Sequence, residues 1–410
     1  YMNFGKLKKD LTLNPKEYIK SLNKGEIIET RIKNDIKRKK KELDLFDMED
    51  IVQLILDITD EAYKFQNETK KEFINLPQYK NWIKTKDEIQ KIHKLKIEKI
   101  LKRIGEVNLL IKKENEQKTN QCSMEIEGEH NSINDNRDFK RYINPKKLIS
   151  LDNEQALVIS YSKKLIKILN SQKDKSTTVK STTITYFRRF FLKKSILDYD
   201  PIYLMGAALY LGSKVSQLTL SIPDLEKIFP ILKGKENILF EYEFYLSTIL
   251  DYDFYVYSPY EALFGFLYTL EQKDFFLAQS SENYVNPNDF KQECSDIIDK
   301  MHLTDNIFLY SYSEIALASV FIKCEEKKID IINIAEKLEL EKVINVKEFL
   351  EVTYRDMKEN YALIPKYESE EDEENKIKEI YKKVHHFHKS FPIYQTQLDK
   401  ERDNFKKKKS

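Results

Sequence analysis

The chain has 410 residues, 41% of them hydrophobic and 12% aromatic, and a net charge of only +2 from 70 basic and 68 acidic side chains. That length predicts two or three domains with ample core material, and the interspersed, balanced charge argues against a chain whose main work is to coat nucleic acid. With 8 glycines and 10 prolines in all, the sequence suits long helices and disfavours β-rich folds, which need turn residues often.

Residues 1–80 are rich in Lys and Glu and carry one apolar stripe. Ile51, Ile55, Ile58, Ala62 and Phe65 fall at helical spacing and predict an amphipathic helix. A second helical pattern covers 85–103, where Ile89, Ile92, Ile97 and Ile100 alternate with Lys and Glu. The polar, Asn-rich stretch after it reads as a disordered insertion over 104–139. From about residue 150 the pattern changes. Leu157, Tyr161, Leu165 and Ile168 make one helix face, and Ile184, Phe187 and Phe191 the next. The Thr-rich run STTVKSTTITYF has strand propensity, but the spacing of its large apolar groups predicts helix. YLMGAALYLG, at 203–212, is apolar all round, as a helix surrounded by others must be. Leu239, Tyr242, Leu246 and Ile249 predict a further amphipathic helix.

After Asp253 the scheme restarts. Leu263, Phe266, Leu267 and Leu270 form a stripe, and IALASVFIKC at 315–324 is a second all-apolar helix. Both apolar helices have small residues in mid-helix (Gly206, Ala207, Ala208; Ala316, Ala318, Ser319) and a Lys near the end, Lys214 and Lys323. That similarity suggests an internal duplication of helical bundles. A last helix is expected at about 368–390, acidic at its start and basic near its end, which complements the helix dipole. The tail FKKKKS is expected to be disordered.

Signals for chemistry are sparse. No GxGxxG or GxxxxGK[ST] phosphate loop occurs, nor HExxH, a Ser-His-Asp context or a kinase signature. Cys122, Cys294 and Cys324 form no CxxC pair, so neither a zinc site nor a disulfide framework is expected, and the thiols should be reduced. His385, His386 and His388 have no evident fourth ligand and read as a surface cluster. No secretory signal is visible, and no apolar run approaches the roughly 20 residues of a membrane span. Lys37 to Lys41 could serve nuclear import or simply be a solvated helix face. Asn67-Glu68-Thr69 fits a glycosylation sequon.

Three segments carry a family resemblance. YFRRFFLKKSILDYDPIYLMGAALYLGSKV (186–215), EYEFYLSTILDYDFYVYSPYEALFGFL (241–267) and LTDNIFLYSYSEIALASVF (303–321) resemble the helices of cyclin boxes. NWIKTKDEIQKIHKLKIEKI (81–100) resembles the N-terminal helix that precedes the first box in cyclin H, the type of cyclin the chain most resembles. The resemblance implies an all-α fold of two tandem five-helix cyclin-box domains flanked by N- and C-terminal helices. It implies an N-terminal helix at 81–103, a first box at 140–256, a second at 257–365, and a C-terminal helix and basic tail at 366–410; the partly disordered helical extension at 1–80 and the insertion at 104–139 have no counterpart in it.

It also implies a function: a regulatory subunit that binds and activates a cyclin-dependent kinase of the CDK-activating, TFIIH-associated type, with no catalytic residues, metal or cofactor of its own. A MAT-type assembly factor and TFIIH become further candidate partners, the nucleus the expected location with a cytoplasmic share left open, and neither a membrane nor direct nucleic-acid binding is expected. The kinase-binding residues carried over are Lys214, suited to donate to kinase carbonyls, and Glu243, suited to accept from kinase N–H groups, with Leu211, Val215 and Tyr252 as apolar docking positions. Ser216 and Gln217 stand where cyclins commonly have acidic residues, and the substrate-docking patch of cell-cycle cyclins is not seen in 153–170. The alternatives are a nucleic-acid-binding module like transcription factor IIB, against which the cysteine count and near-neutral charge argue, and a cyclin-fold scaffold that activates nothing.

Overall fold

The computed structural model describes residues 77–125, 141–145, 149–172, 176–218, 220–276, 285–365 and 369–409. Contacts divide the chain after Lys80, and every helix from Lys86 onward lies in the compact unit that begins at Asn81. The helix expected at 51–65, the basic run at 37–41 and the stretch 126–140 lie outside the described residues. Among those described, the regular structure is helical and no strand occurs, in agreement with the all-α expectation.

Helix α1 (Lys86–Glu125) opens with a reciprocal cap. The Thr85 N–H donates to Glu88 Oε2 (2.8 Å), and the Glu88 N–H donates to Thr85 Oγ1 (3.2 Å), which satisfies two orphan donors at once. The expected break at 103–104 does not occur: the helix runs on to Glu125. Ile104, Val107 and Ile111 continue the buried stripe begun by Ile89 and Ile100, and that burial outweighs the roughly 1 kcal/mol cost of Gly105 within a helix.

The first core gathers around α4 (Pro201–Val215). Before it come α2 (Leu151–Ser171), capped by Ser150, and α3 (Thr177–Lys193), capped by Ser176. After it come α5 (Ile222–Ile228) and α6 (Glu236–Ile249). The Thr-rich run is helical within α3, as its apolar spacing predicts. Packing overrides the weak helix propensity of its threonines, of which Thr182, Thr183 and Thr185 are buried. Asp200 caps α4 by accepting from the Ile202 N–H (2.8 Å), and α3 and α6 flank it. The small residues of α4 permit close approach: a methyl group at Gly212 would lie 2.7 Å from Thr183 Oγ1.

The second core gathers in the same way around α9 (Tyr312–Glu326). It is preceded by α7 (Pro259–Gln272) and α8 (Pro287–Met301), and followed by α10 (Ile331–Lys337) and α11 (Arg355–Ala362). The two central helices end alike. Gln217 (φ 57°) and Lys328 (φ 59°) are left-handed, and the next N–H reaches back five residues: Leu218 to Ser213 O (2.9 Å), Ile329 to Cys324 O (2.8 Å). This is the glycine-type helix stop made without glycine. Left-handed geometry costs an L-residue about 1–2 kcal/mol, and a glycine there returns part of that as extra chain entropy on unfolding. Gln217→Gly should therefore stabilise the protein by about 0.5–1 kcal/mol in urea unfolding. A lowered midpoint would instead reveal a stabilising contact of the glutamine side chain.

Helices α12 (Glu370–Ser390) and α13 (Pro392–Lys409) return to the first core. Ile377, Ile380, Val384, Phe387 and Tyr394 join it. The expected disordered tail is helical in its backbone as far as Lys409. Buried Tyr394 and Leu398 anchor α13, and a basic end suits the dipole. Arg103 ties α13 to α1 and to the α3–α4 turn. Its Nη1 donates to Asp198 Oδ1 (2.6 Å) and the Tyr394 hydroxyl (2.9 Å), while Nε and Nη2 fork onto the Glu401 carboxylate (2.8 Å each).

Candidate functional site

The packing of α6 on α4 brings together two of the expected docking residues, 29 positions apart in sequence: Lys214 Nζ lies 2.8 Å from Glu243 Oε1. The lysine side chain is 47% exposed and the glutamate 18%, so the pair sits at the rim of the α4–α6 seam with its ammonium toward solvent. Sequence reasoning assigned each charge to a partner's backbone; in the free chain each serves the other. The Tyr210 ring, one turn earlier on α4, lies 3.9 Å below the ammonium, a cation–π contact that fixes it further. Phe240, one turn before Glu243 on α6, leans on Tyr210 with centroids 6.4 Å apart and is exposed. Neither aromatic was foreseen. Their signal was the spacing to Lys214 and Glu243 of four and three residues, which places side chains on one helix face.

The other three expected residues fall differently. Leu211 is 5% exposed and belongs to the first core. On α4 it points inward with Ala207 and Ala208, so it supports the surface from beneath rather than offering itself to a partner. Val215 is half-buried against the same core. Tyr252 is 52% exposed, just past the end of α6. Asp251 (φ 53°) and Tyr252 (φ 58°) are both left-handed, and the Tyr252 N–H bonds to Ser247 O (3.0 Å). Two consecutive residues in that region persist only where the surroundings hold them.

Those surroundings are visible. Trp82 Nε1 and Asn81 Nδ2 both donate to Asp253 Oδ2 (3.3 Å each). Arg189 and Lys193 of α3 stack on the Trp82 ring at 4.4 and 4.2 Å, and Lys193 Nζ donates to Ile249 O (3.2 Å). The Tyr186 hydroxyl donates to Phe254 O. Burial pushes the Arg189 guanidinium down to about 9, while Asp253 opposes that shift. Arg188 turns the other way and donates to Thr304 O (3.0 Å) and Asp305 (3.2 Å). The aromatic-basic run of α3 thus braces the segment carrying Tyr252 and joins it to the second core. Ser216 and Gln217 form the turn that stops α4.

Among the described residues, no group of three His, Cys, Asp or Glu side chains is placed to hold a metal ion, and no helix is long and apolar enough to cross a membrane.

The family profile described as "Cyclin C-terminal domain" matches residues 258–386. "Cyclin mcs2" of Schizosaccharomyces pombe is 31% identical over 42% of this chain and 51% of its own length. "Cyclin-H" of Xenopus laevis is 28% identical over 42% of this chain and 54% of its own. The chain therefore spans about half the length of these curated relatives. A chain in a structure of the CAK complex from Chaetomium thermophilum bound to ATP-gamma-S superposes with a TM-score of 0.57 at 19% identity, covering 83% of this chain and 96% of that one, a likeness of fold. The two helical cores, the matched C-terminal domain and these relatives point the same way: residues 258–386 match the cyclin C-terminal domain, and the chain is similar to cyclins of the cyclin H kind.

Proposed function

We propose that this chain is a cyclin H-like regulatory subunit that binds and activates a cyclin-dependent protein kinase of the CDK-activating, transcription-associated type, acts in the nucleus, and performs no catalysis itself. The observation that carries this reading is the Lys214–Glu243 pair at the rim of the α4–α6 seam, its lysine half exposed, in a chain similar to cyclins. Held by each other and by the Tyr210 ring, the two groups lose little further freedom on docking, which lowers the entropic cost of association. On contact they can exchange partners, Lys214 donating to carbonyls at a kinase helix end and Glu243 accepting from N–H groups. Phe240 supplies exposed aromatic area next to Tyr210 beside them, and Tyr252 more at the end of α6, the residue type enriched at interface centres. A rigid surface that binds the active arrangement of the kinase better than the idle one shifts the population toward activity. In a kinase that arrangement requires the helix-borne Glu to meet the strand Lys that grips ATP. A MAT-type factor and TFIIH are the further partners this reading implies.

The test is a pull-down of kinases from native extract, followed by phosphorylation assays on an RNA polymerase II tail peptide and a CDK activation-loop peptide. Lys214→Ala combined with Glu243→Ala should weaken kinase binding at least about 30-fold with the helical circular dichroism unchanged. Equal activation by the double variant would remove the pair from the interface, and a wild-type chain that leaves every captured kinase idle would end the activator reading.

A further inference from the structure

Away from the Lys214 pair, the two helical cores leave a cleft of about 1200 Å³ between them, lined from α2, α3, α4 and α5 on one side and from α7 and α8 on the other. Its floor is apolar: Leu209, Leu218 and Ile228 from the first core face Phe264 from the second. Its lining has a modest cationic excess. Lys180, Lys227 and Lys291 line it, against a single lining carboxylate, Asp224. Lys180 is committed to Asp299 beneath it (2.7 Å), and Lys227 reaches Asp224 (2.7 Å) but is 76% exposed. Lys291 is exposed and lies over the Phe264 ring at 4.1 Å. Ser176 and Thr177, at the start of α3, also line the cleft. The first turn of α3 carries no acidic residue of its own, although the Thr178 hydroxyl donates to Glu261 of α7 (3.0 Å), which offsets the positive end of its dipole.

We propose that this cleft is a docking groove for an acidic peptide segment of a partner protein, one that places apolar side chains on the floor and carboxylates against Lys227 and Lys291. Charge complementarity selects the occupant: a basic segment would meet lysines with only Asp224 to receive it. The apolar floor favours a peptide over a polyanion such as RNA, whose affinity would come from phosphate contacts alone. Neither Lys214 nor Glu243 lines the groove, so on this proposal one chain holds a kinase and a second protein together.

The experiment pans a displayed random-peptide library against the full chain and measures the enriched peptides by fluorescence anisotropy on the wild type and on Lys227→Glu/Lys291→Glu. Both lysines are exposed, so the variant should keep its fold, checked by circular dichroism. The proposal expects enriched sequences that mix Asp or Glu with large apolar residues. It also expects binding to the variant at least about tenfold weaker, equivalent to about 1.4 kcal/mol, with a shallower salt dependence. It is overturned if nothing is enriched, if the enriched peptides are neutral or basic, or if they bind the variant equally well. It is also overturned if a single-stranded RNA oligonucleotide outcompetes them. Kinase activation by the same variant should match the wild type, so failure of the groove and failure of the kinase-activator reading are read in separate assays.

Discussion

Asp299→Ala should destabilise the protein by about 3–5 kcal/mol, the cost of leaving a buried charge without its partner. Asp299 on α8 is where the two cores are riveted. It takes the Lys180 ammonium of α3 (2.7 Å) and Asn170 Nδ2 of α2 (3.1 Å), and it accepts from the Tyr260 hydroxyl of α7. The Lys180 and Asp299 side chains are only 13% and 9% exposed. Without the carboxylate, Lys180 keeps its contact with the Tyr260 ring at 4.9 Å, which is worth far less than the lost pairing. Burial, the largest cause holding the Tyr260 hydroxyl well above its ordinary range, persists in that variant, so the hydroxyl supplies no substitute anion. The decisive comparison is Lys180→Met combined with Asp299→Leu. An apolar pair of similar volume removes both desolvation costs at once and should lose much less than Asp299→Ala alone. Urea unfolding of the three proteins measures it. A loss below about 1 kcal/mol for Asp299→Ala would mean that the pair behaves as a solvated surface bridge and that the cores are held by apolar contact alone.

The rivet also marks the boundary of what a linear reading can reach. Helices whose apolar residues recur every three or four positions were legible, including α3, where spacing rather than the β-branched threonines decided correctly. The all-apolar character of α4 and α9 announced two centres, and both helices prove to be buried in separate cores. What the pattern concealed was where a stripe ends. In α1, Ile104, Val107 and Ile111 continue it into a stretch whose polar composition suggests disorder. In α13, Tyr394 and Leu398 are the deeply buried residues among those whose side chains are described, too few to outweigh a run of lysines in a compositional reading. Long-range polar partners were hidden for a different reason. Lys180 and Asp299 stand 119 positions apart, and Arg103 and Glu401 stand 298 apart. Nothing local distinguishes such residues from the other charged residues, which with them make up a third of the chain. Lys214 and Glu243 were legible as a site through family resemblance. Their direct pairing, and the inward aim of Leu211, follow from how α6 seats on α4.

Beside the rivet, His302 should make the stability of the second core fall with acid by roughly 3 kcal/mol between pH 7 and pH 4. The ring is 1% exposed, stacked on Tyr260 with centroids 5.8 Å apart and planes 9° from parallel, and its Nδ1 lies 2.9 Å from Ile298 O. Burial pushes the imidazole down to about 4. The Ile298 carbonyl and Asp299 oppose that shift, and Lys180 and Arg188 reinforce it. The sign follows from proton counting. Below about pH 6.5 the unfolded chain gains a proton that the folded chain refuses until about pH 4, so the unfolded state is favoured progressively across that window. Above it both states hold a neutral ring and the effect vanishes. Phe in place of His302 keeps the stack on Tyr260 but cannot titrate, so the variant should show a shallower decline of unfolding free energy with acid, whatever its stability at neutral pH. Comparing slopes rather than midpoints isolates the imidazole from the carboxylates, which titrate in both proteins. Parallel curves for wild type and His302→Phe would show that the ring protonates in place without cost, and that the packing of α7 on α8 is looser than the burial of His302 indicates.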